Sequence, residues 1–378
     1  MSTSPTKPNS AVDEVDAATE PGEPGDDEPG LDDQLPAASF GLPPGADPSL
    51  DWGQRSHLGP DGQPRIIERH LVVPPELAGL RLDHFVKTQI PRLSRTRIQG
   101  IITGQLRRAD DHAPKPATIV AANEHYIIRR PAQPEPACPR TFELLVTDPR
   151  LYVIDKPAGL PVHASAKFYF NTLTRVLAER FPGEPELQIC HRLDRETSGC
   201  LVVARDRAAA STIKQAFATK ARVTKQYLAV VHGQPPWDAE HTLDLPLRVA
   251  VPGDPTQLVH VRMMAGPGGL EAITRVRVER RTAQHALVRC TLVTGRQHQI
   301  RAHLAAAGFP IVGDKLYGHG DAAFMRYCAD GLTPELARLF VLPRHALHAA
   351  RVVFPHPDGP AITAEAALPG ELARLLST

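Results

Sequence analysis

Apolar residues recur at helical spacing twice near the front of this chain. Leu82, Phe85, Val86 and Ile90 form one stripe; Ile98, Ile101 and Ile102 form a second, with Ser94 placed to cap the helix that carries it. Two short strands are expected next, around Thr118–Ala121 and His125–Ile128. Together these elements predict a small unit over 66–130, ended by the Pro-rich linker PAQPEPACPR at 131–140. Beyond it, strand patterning dominates. FELLVTD, LYVIDKP, GCLVVAR, QYLAVVHG, ITRVRVERR and HALVRCTL read as strands, the last two as a hairpin, while NTLTRVLAERF and RAAASTIKQAFATK read as helices. Antiparallel strands with fewer helices predict an α+β domain over 141–365, with a mixed, mainly antiparallel sheet and a short tail at 366–378. A short helix is expected at Pro334–Phe340, inside a stretch at 319–343 that would cover an apolar edge of that domain.

Residues 1–60 read differently. They hold twelve acidic side chains against Lys7 and Arg55, with almost no periodic apolar residues, so a disordered acidic arm is expected there. Its charge hides the character of the rest. The whole chain has 43 basic and 42 acidic residues, but without the arm 41 basic face 30 acidic, an excess of 11 suited to a polyanionic partner. Arg92, Arg95, Arg97, Arg107 and Arg108 crowd the small unit, either as a solvated surface or as contacts to an RNA backbone, whose counterions they would release. Five scattered cysteines without a CxxC pair point away from a disulfide scaffold and a structural zinc site. The first residues show no signal-peptide pattern and no stretch reaches 18 uninterrupted apolar residues, so the cytoplasm is expected and no membrane association.

Neither GxxxxGK[ST] nor GxGxxG after a strand occurs; Gly266, Gly268 and Gly269 read as a hairpin turn. The most unusual segment is ICHRLDRETSGCLVVAR at 189–205, where His191, Arg192, Asp194, Arg195, Glu196, Thr197 and Ser198 separate two apolar runs. Taken alone it reads equally as a polar loop with an internal salt bridge. The same domain also holds Tyr227 in KQYLAVVHG, a cluster of Arg296, His298, Gln299 and Arg301 in TGRQHQIRAHL, and the basic and apolar segment RHALHAARVVF.

On LYVIDKPAGLPVH (151–163), HRLDRETSG (191–199), KQYLAVVHG (225–233), TGRQHQIRAHL (294–304), GDKLYG (313–318) and RHALHA (344–349), the chain resembles the pseudouridine synthase family of the large-ribosomal-subunit type. Residues 79–130 resemble the small alpha-L RNA-binding module that many of its members carry in front, with the usual Gly-Asp before the final strand replaced by Ala122-Asn123.

The resemblance implies Asp194 as the catalytic aspartate, Tyr227 as the tyrosine beside the base, Arg301 as the aspartate's basic partner, and Arg192 in the space vacated by the extracted base. His191, Arg296 and Gln299 are further substrate-binding candidates; His298 and Gln299 have the alternative of satisfying backbone groups around Arg301. Arg296, Lys156 and Arg195 are placed for phosphates, and Leu193, Ile300 and Leu347 for the pocket wall or core. The implied reaction breaks the uracil N1–ribose bond, turns the base and joins C5 to the same carbon. An ionised carboxylate either attacks the sugar carbon or removes a sugar proton. Redox change and group transfer play no part, so no cofactor and no metal are expected. The expected partner is structured RNA, ribosomal ahead of transfer RNA, with no DNA and with the protein a monomer. The alternatives are a transfer-RNA or dual-substrate synthase, a non-catalytic RNA-binding assembly factor, and an unrelated hydrolase pairing Asp194 with His191.

Overall fold

The computed structural model describes residue 42 and residues 46–377, except 92, 166, 221 and 250–261. Most of the acidic arm expected over 1–60, and Arg92 of the basic cluster, lie outside the described residues.

The front unit is built from β1 (Ile66–Val72), α1 (Leu82–Gln89), α2 (Arg95–Gln105), β2 (Leu106–Arg108) and β3 (His125–Pro131). Its antiparallel sheet runs β1-β3-β2. Ser94 starts α2 as expected, its hydroxyl accepting from Arg97 N at 3.3 Å. The two helical stripes, Leu82, Phe85 and Val86 with Ile98 and Ile102, close over Tyr126 and Ile128 of β3. The strand expected at Thr118–Ala121 shrinks to a single antiparallel bridge, Ile119 opposite Arg81. Its backbone is spent on the turn before α1: Leu82 N donates to Thr118 O, Val120 N to Leu80 O and Gly79 N to Val120 O. Asn123 then turns at φ +63°, a left-handed conformation that asparagine tolerates.

The larger domain opens with β4 (Glu143–Thr147), β5 (Leu151–Lys156), α3 (Leu173–Arg180), β6 (Gln188–Ile189), β7 (Ser198–Ala204) and α4 (Arg207–Thr219). Strands β8 (Thr224–His232), β9 (His241–Leu243), β10 (Leu247–Val249), β11 (Met263–Ala265), β12 (Thr274–Arg281) and β13 (His285–Leu292) follow. The remainder is α5 (Gln299–Ala306), α6 (Gly320–Asp330), α7 (Pro334–Phe340), β14 (Leu347–Phe354), β15 (Ile362–Glu365) and α8 (Gly370–Arg374). Ten of these strands form one sheet in the order β4-β5-β7-β14-β8-β13-β12-β9, with β15 on β14 and β6 on β7. All its pairings are antiparallel except β14 with β7. The fold is thus the α+β arrangement expected, and β12–β13 is the expected hairpin.

Alternation along the strands divides the core in two. On β7, Leu201 and Val203 join the face covered by α3, α5 and α8, while Cys200, Val202 and Ala204 face α4. Every residue of β7 is therefore buried, which is why SGCLVVA is so continuously apolar.

The chain ends are drawn in further than composition suggests. Within the last part of the expected arm, Trp52 O accepts from Cys138 N and Asp51 O from Arg140 N, each at 3.0 Å. Asn171 Nδ2 donates to Gly53 O and Pro136 O, each at 3.0 Å, and the Glu135 carboxylate accepts from Phe170 N and Asn171 N. Asn171 thus gives Pro136 O a partner that a proline-rich stretch cannot find in a ladder, and Glu135 of that stretch ties down the backbone at 170–171 in return. At the other end, Leu372 and Leu376 of the expected tail are buried in the main core. In the 319–343 stretch, α7 begins where Thr333 caps it, accepting from Leu336 N at 3.3 Å. Phe340 and Leu336 there pack with Tyr327 of the unexpected α6 and with Phe168.

Candidate active site

Residues 190–197 form the loop between β6 and β7. Cys190 N donates to Val202 O at its base, and Thr197 N donates to Asp194 O at 3.0 Å, closing a turn with the Asp194 side chain at its head. Arg301, on the first turn of α5, donates from Nη1 to Asp194 Oδ2 at 2.9 Å. The rest of its guanidinium is gripped by Asp314, through Nε to Oδ2 at 2.7 Å and Nη2 to Oδ1 at 3.0 Å. Asp314 in turn accepts from Leu316 N and Tyr317 N, each at 3.0 Å. Arg301 and Asp314 are buried, whereas the Asp194 side chain keeps 31% exposure, so Asp194 is the end of this chain of ion pairs that solvent reaches.

Burial by itself would raise the pKa of Asp194; the charge of His298, where that ring is protonated at low pH, and that of Arg301 outweigh burial and hold the carboxyl well below the usual carboxylate range. Burial and Arg301 also push His298 down to about 4, so near neutral pH Arg301 supplies the positive charge. Tyr227 lies on β8, buried opposite Cys290 of β13. Burial, then Asp194, push its phenol above the ordinary range, so the ring is neutral near neutral pH.

The loop is locked from behind by distant segments. Glu196 accepts two bonds from Lys315 Nζ, at 2.8 and 2.9 Å, and one from His345 N at 3.0 Å. Thr197 Oγ1 meets His345 Nε2 at 2.8 Å, and Ser198 donates to His348 Nδ1 at 2.9 Å because His348 Nε2 is committed to Ala366 O. Arg344 reaches Glu196 O, His345 O and Leu347 O, and pairs with Glu371 at 2.7 Å. A buried ion pair of this kind fixes a geometry more surely than it adds stability.

Of the residues expected at the site, Asp194 and Arg301 are in contact, with Tyr227 close enough for its phenol to feel the Asp194 charge. Arg192 and Arg296 are exposed; Arg296 is tethered through Nε to Glu271 O at 3.1 Å. His191 and Gln299 have other work. His191 stacks on Phe217 of α4 at 4.7 Å and accepts from Val202 N at 3.1 Å, on the opposite face of the sheet from Tyr227. Gln299 accepts from Thr294 Oγ1 and Arg296 N and donates to Ile273 O and Thr274 Oγ1, which uses its full capacity. Lys156, expected near phosphates, is buried and donates to the carbonyls of Pro157, Leu160 and Arg195. Leu193, Ile300 and Leu347 are core. Sequence reasoning missed Asp314, Tyr317 and Glu196–Lys315; the quoted blocks GDKLYG and HRLDRETSG contain all four, but nothing local says which of them face the carboxylate.

A family model described as RNA pseudouridylate synthase matches residues 150–306. A ribosomal large subunit pseudouridine synthase D of Xanthomonas campestris pv. campestris is 35% identical over 316 residues, covering 82% of this chain and 92% of its own. The chain belongs to the RNA pseudouridylate synthase family. A ribosomal large subunit pseudouridine synthase C of Salmonella typhimurium is 34% identical over 314 residues, 79% of this chain and 92% of its own. A solved human chain, described as RNA pseudouridylate synthase domain containing 4, is 28% identical with a TM-score of 0.48, over 62% of this chain and 91% of its own. The matched span of this pseudouridylate synthase includes Asp194, Tyr227 and Arg301, and stops before Asp314.

The site also sets an acid limit on the synthase's stability. Burial holds His191 and His345 at about 3, and His298 and His348 at about 4, against an ordinary 6.5. The unfolded chain takes up these protons near pH 6.5 and the folded chain only near 4 or below. The stability they carry is therefore whole above pH 6.5 and is lost as pH falls from there toward 4. Asp194, Asp314 and Glu196 stay ionised through that window. Thermal melts are expected to show a melting temperature that declines steadily from pH 6.5 to about 4.5; an invariant value across the interval would refute the histidine account.

Proposed function

We propose that this synthase isomerises a particular uridine of structured ribosomal RNA, in the large subunit, within the cytoplasm, with Asp194 as the catalytic carboxylate. One observation carries the reading: an ionised, solvent-reachable carboxylate is held by a guanidinium that a second, buried carboxylate has already aimed. Such an oxygen is ready either to bond to the sugar carbon or to accept a sugar proton, and both routes require its negative charge. Once the base has turned, C5 joins the sugar carbon, the C5 proton departs and N1 regains one. Tyr227 would lie against the uracil, Arg192 would occupy the place of the displaced base, and Arg296 would meet a nearby phosphate.

The ribosomal substrate is supported by the names of the similar proteins and by the basic front unit. Exposed Arg97 on α2 suits a phosphate backbone, as does exposed Arg95 beside its 3.5 Å pairing with Asp83, while Arg108 is paired with Asp110. Flipping the target uridine costs a few kcal/mol, least in a loop, and backbone contacts offset that cost.

The test is release of tritium from RNA labelled at uracil C5, followed by nucleoside analysis. Large-subunit ribosomal and transfer RNA transcripts are compared, with an Asp194→Asn chain as control. The intact chain is expected to release tritium from ribosomal RNA and the control none. Release from neither RNA, or equal release by the control, would sink the reading; release from transfer RNA alone would reassign the substrate.

A further inference from the structure

We infer that His298 is a positioning residue for the isomerisation: fixed by Tyr317 as a neutral Nε2–H tautomer, it offers Asp194 Oδ2 a second donor and leaves Oδ1 as the oxygen that reacts. The inference rests on Asp194 being the reacting carboxylate.

His298 immediately precedes α5 and stands at φ +52°, a left-handed conformation that few residues other than glycine adopt. This places its largely buried ring between two partners. Nδ1 is 3.2 Å from the Tyr317 hydroxyl, and Nε2 is 3.9 Å from Asp194 Oδ2. The tautomer follows from the neighbour beyond. Tyr317 Oη accepts from Met263 N at 2.9 Å, and among the described residues its own proton has His298 Nδ1 as its one acceptor, so we assign the ring the tautomer that receives it. An imidazole accepting at Nδ1 carries its own hydrogen on Nε2, the nitrogen nearest the carboxylate.

The surrounding charges keep the ring neutral. Arg301 and burial oppose its protonation, while Asp194 and Asp314 favour it only in part, and the balance leaves the ring uncharged near neutral pH. A second cation here would deepen the carboxylate's resting state and blunt it as nucleophile or base. A neutral donor orients the same group without that penalty. Both donors converge on Oδ2: Arg301 Nη1 is bonded at 2.9 Å, and His298 Nε2 stands one short movement away, as catalytic contacts often do before substrate binds. Among the described residues no hydrogen bond is made to Oδ1. The carboxylate therefore has one anchored oxygen and one available oxygen.

Two substitutions separate this role from a packing role. Asparagine tolerates the left-handed backbone and replaces the Nδ1 end of the ring, so His298→Asn keeps a partner for Tyr317 and removes the donor facing Asp194. Glutamine reaches to the Nε2 position, so His298→Gln keeps that donor. In single-turnover tritium release, His298→Asn is expected to slow turnover by about 10- to 100-fold, the loss of one hydrogen bond to a charged group, with the KM for RNA within about threefold. His298→Gln is expected to stay within about fivefold of the intact chain. Melting curves establish that both variants are folded. Unchanged turnover in His298→Asn, or a His298→Gln chain as slow as it, overturns the inference while the intact chain still outpaces Asp194→Asn. An intact chain that releases no tritium brings down the reading of Asp194 and this inference together.

Discussion

Asp194→Asn is expected to slow isomerisation by about 10,000-fold or more while leaving RNA affinity and melting temperature almost unchanged. The activity loss follows from charge, since a carboxamide neither attacks a sugar carbon nor takes its proton. The preserved stability is the more specific expectation. Removing one member of a buried ion pair ordinarily costs about 3–5 kcal/mol, because the partner is left charged and alone. Here the partner is not left alone. Arg301 keeps both bonds to Asp314, and the asparagine oxygen still accepts from Nη1. Tritium release, filter binding of RNA and a thermal melt on the same preparation test all three parts; a melting temperature lowered by 10 °C or so would show that Asp194 holds the fold as well as the chemistry.

Gly199→Ala is expected to have the largest effect on stability, about 4 kcal/mol or more, seen as a melting temperature lower by roughly 10 °C or as failure to accumulate folded protein. Gly199 has φ +110°, which side-chain-bearing residues rarely adopt. An added Cβ would sit 2.3 Å from Ala349 O and 2.8 Å from Ala349 N and C, all backbone atoms that cannot swing away. The contact lies where β7 and β14 run parallel, Ser198 beside His348 and Gly199 beside Ala349. A folded, fully active Gly199→Ala chain would mean that the two strands part without cost.

These two positions also show what was legible in the sequence. Gly199 and Asp194 sit in one quoted block, HRLDRETSG, and the strand behind it was readable because a central strand buried on both faces is apolar throughout. The helices of the front unit were readable for a similar reason, since their stripes and the Ser94 cap are local signals. Direction was not readable. His191 and Asp194 are three residues apart, yet one ring goes under α4 and the other side chain goes to Arg301, 107 residues later. Gln299 and Arg301 are closer still, and only Arg301 reaches the carboxylate. Lys156 looked like a phosphate contact because lysine is usually solvated; three carbonyls around its ammonium place it inside instead. Asp314 was missed because its value lies wholly in what it grips. The segment around Gly53 reads as irregular by composition, and composition does not register that Asn171 Nδ2 gives Gly53 O and Pro136 O a shared donor.

The contacts behind the Asp194 loop have a consequence for timing during synthesis. Arg344, His345, His348 and Glu371 hold residues that leave the ribosome long before them. A nascent chain that already displays Asp194, Tyr227 and Arg301 still lacks what fixes the loop of Asp194. That loop is therefore expected to take its final shape only after residues 344–371 have been made.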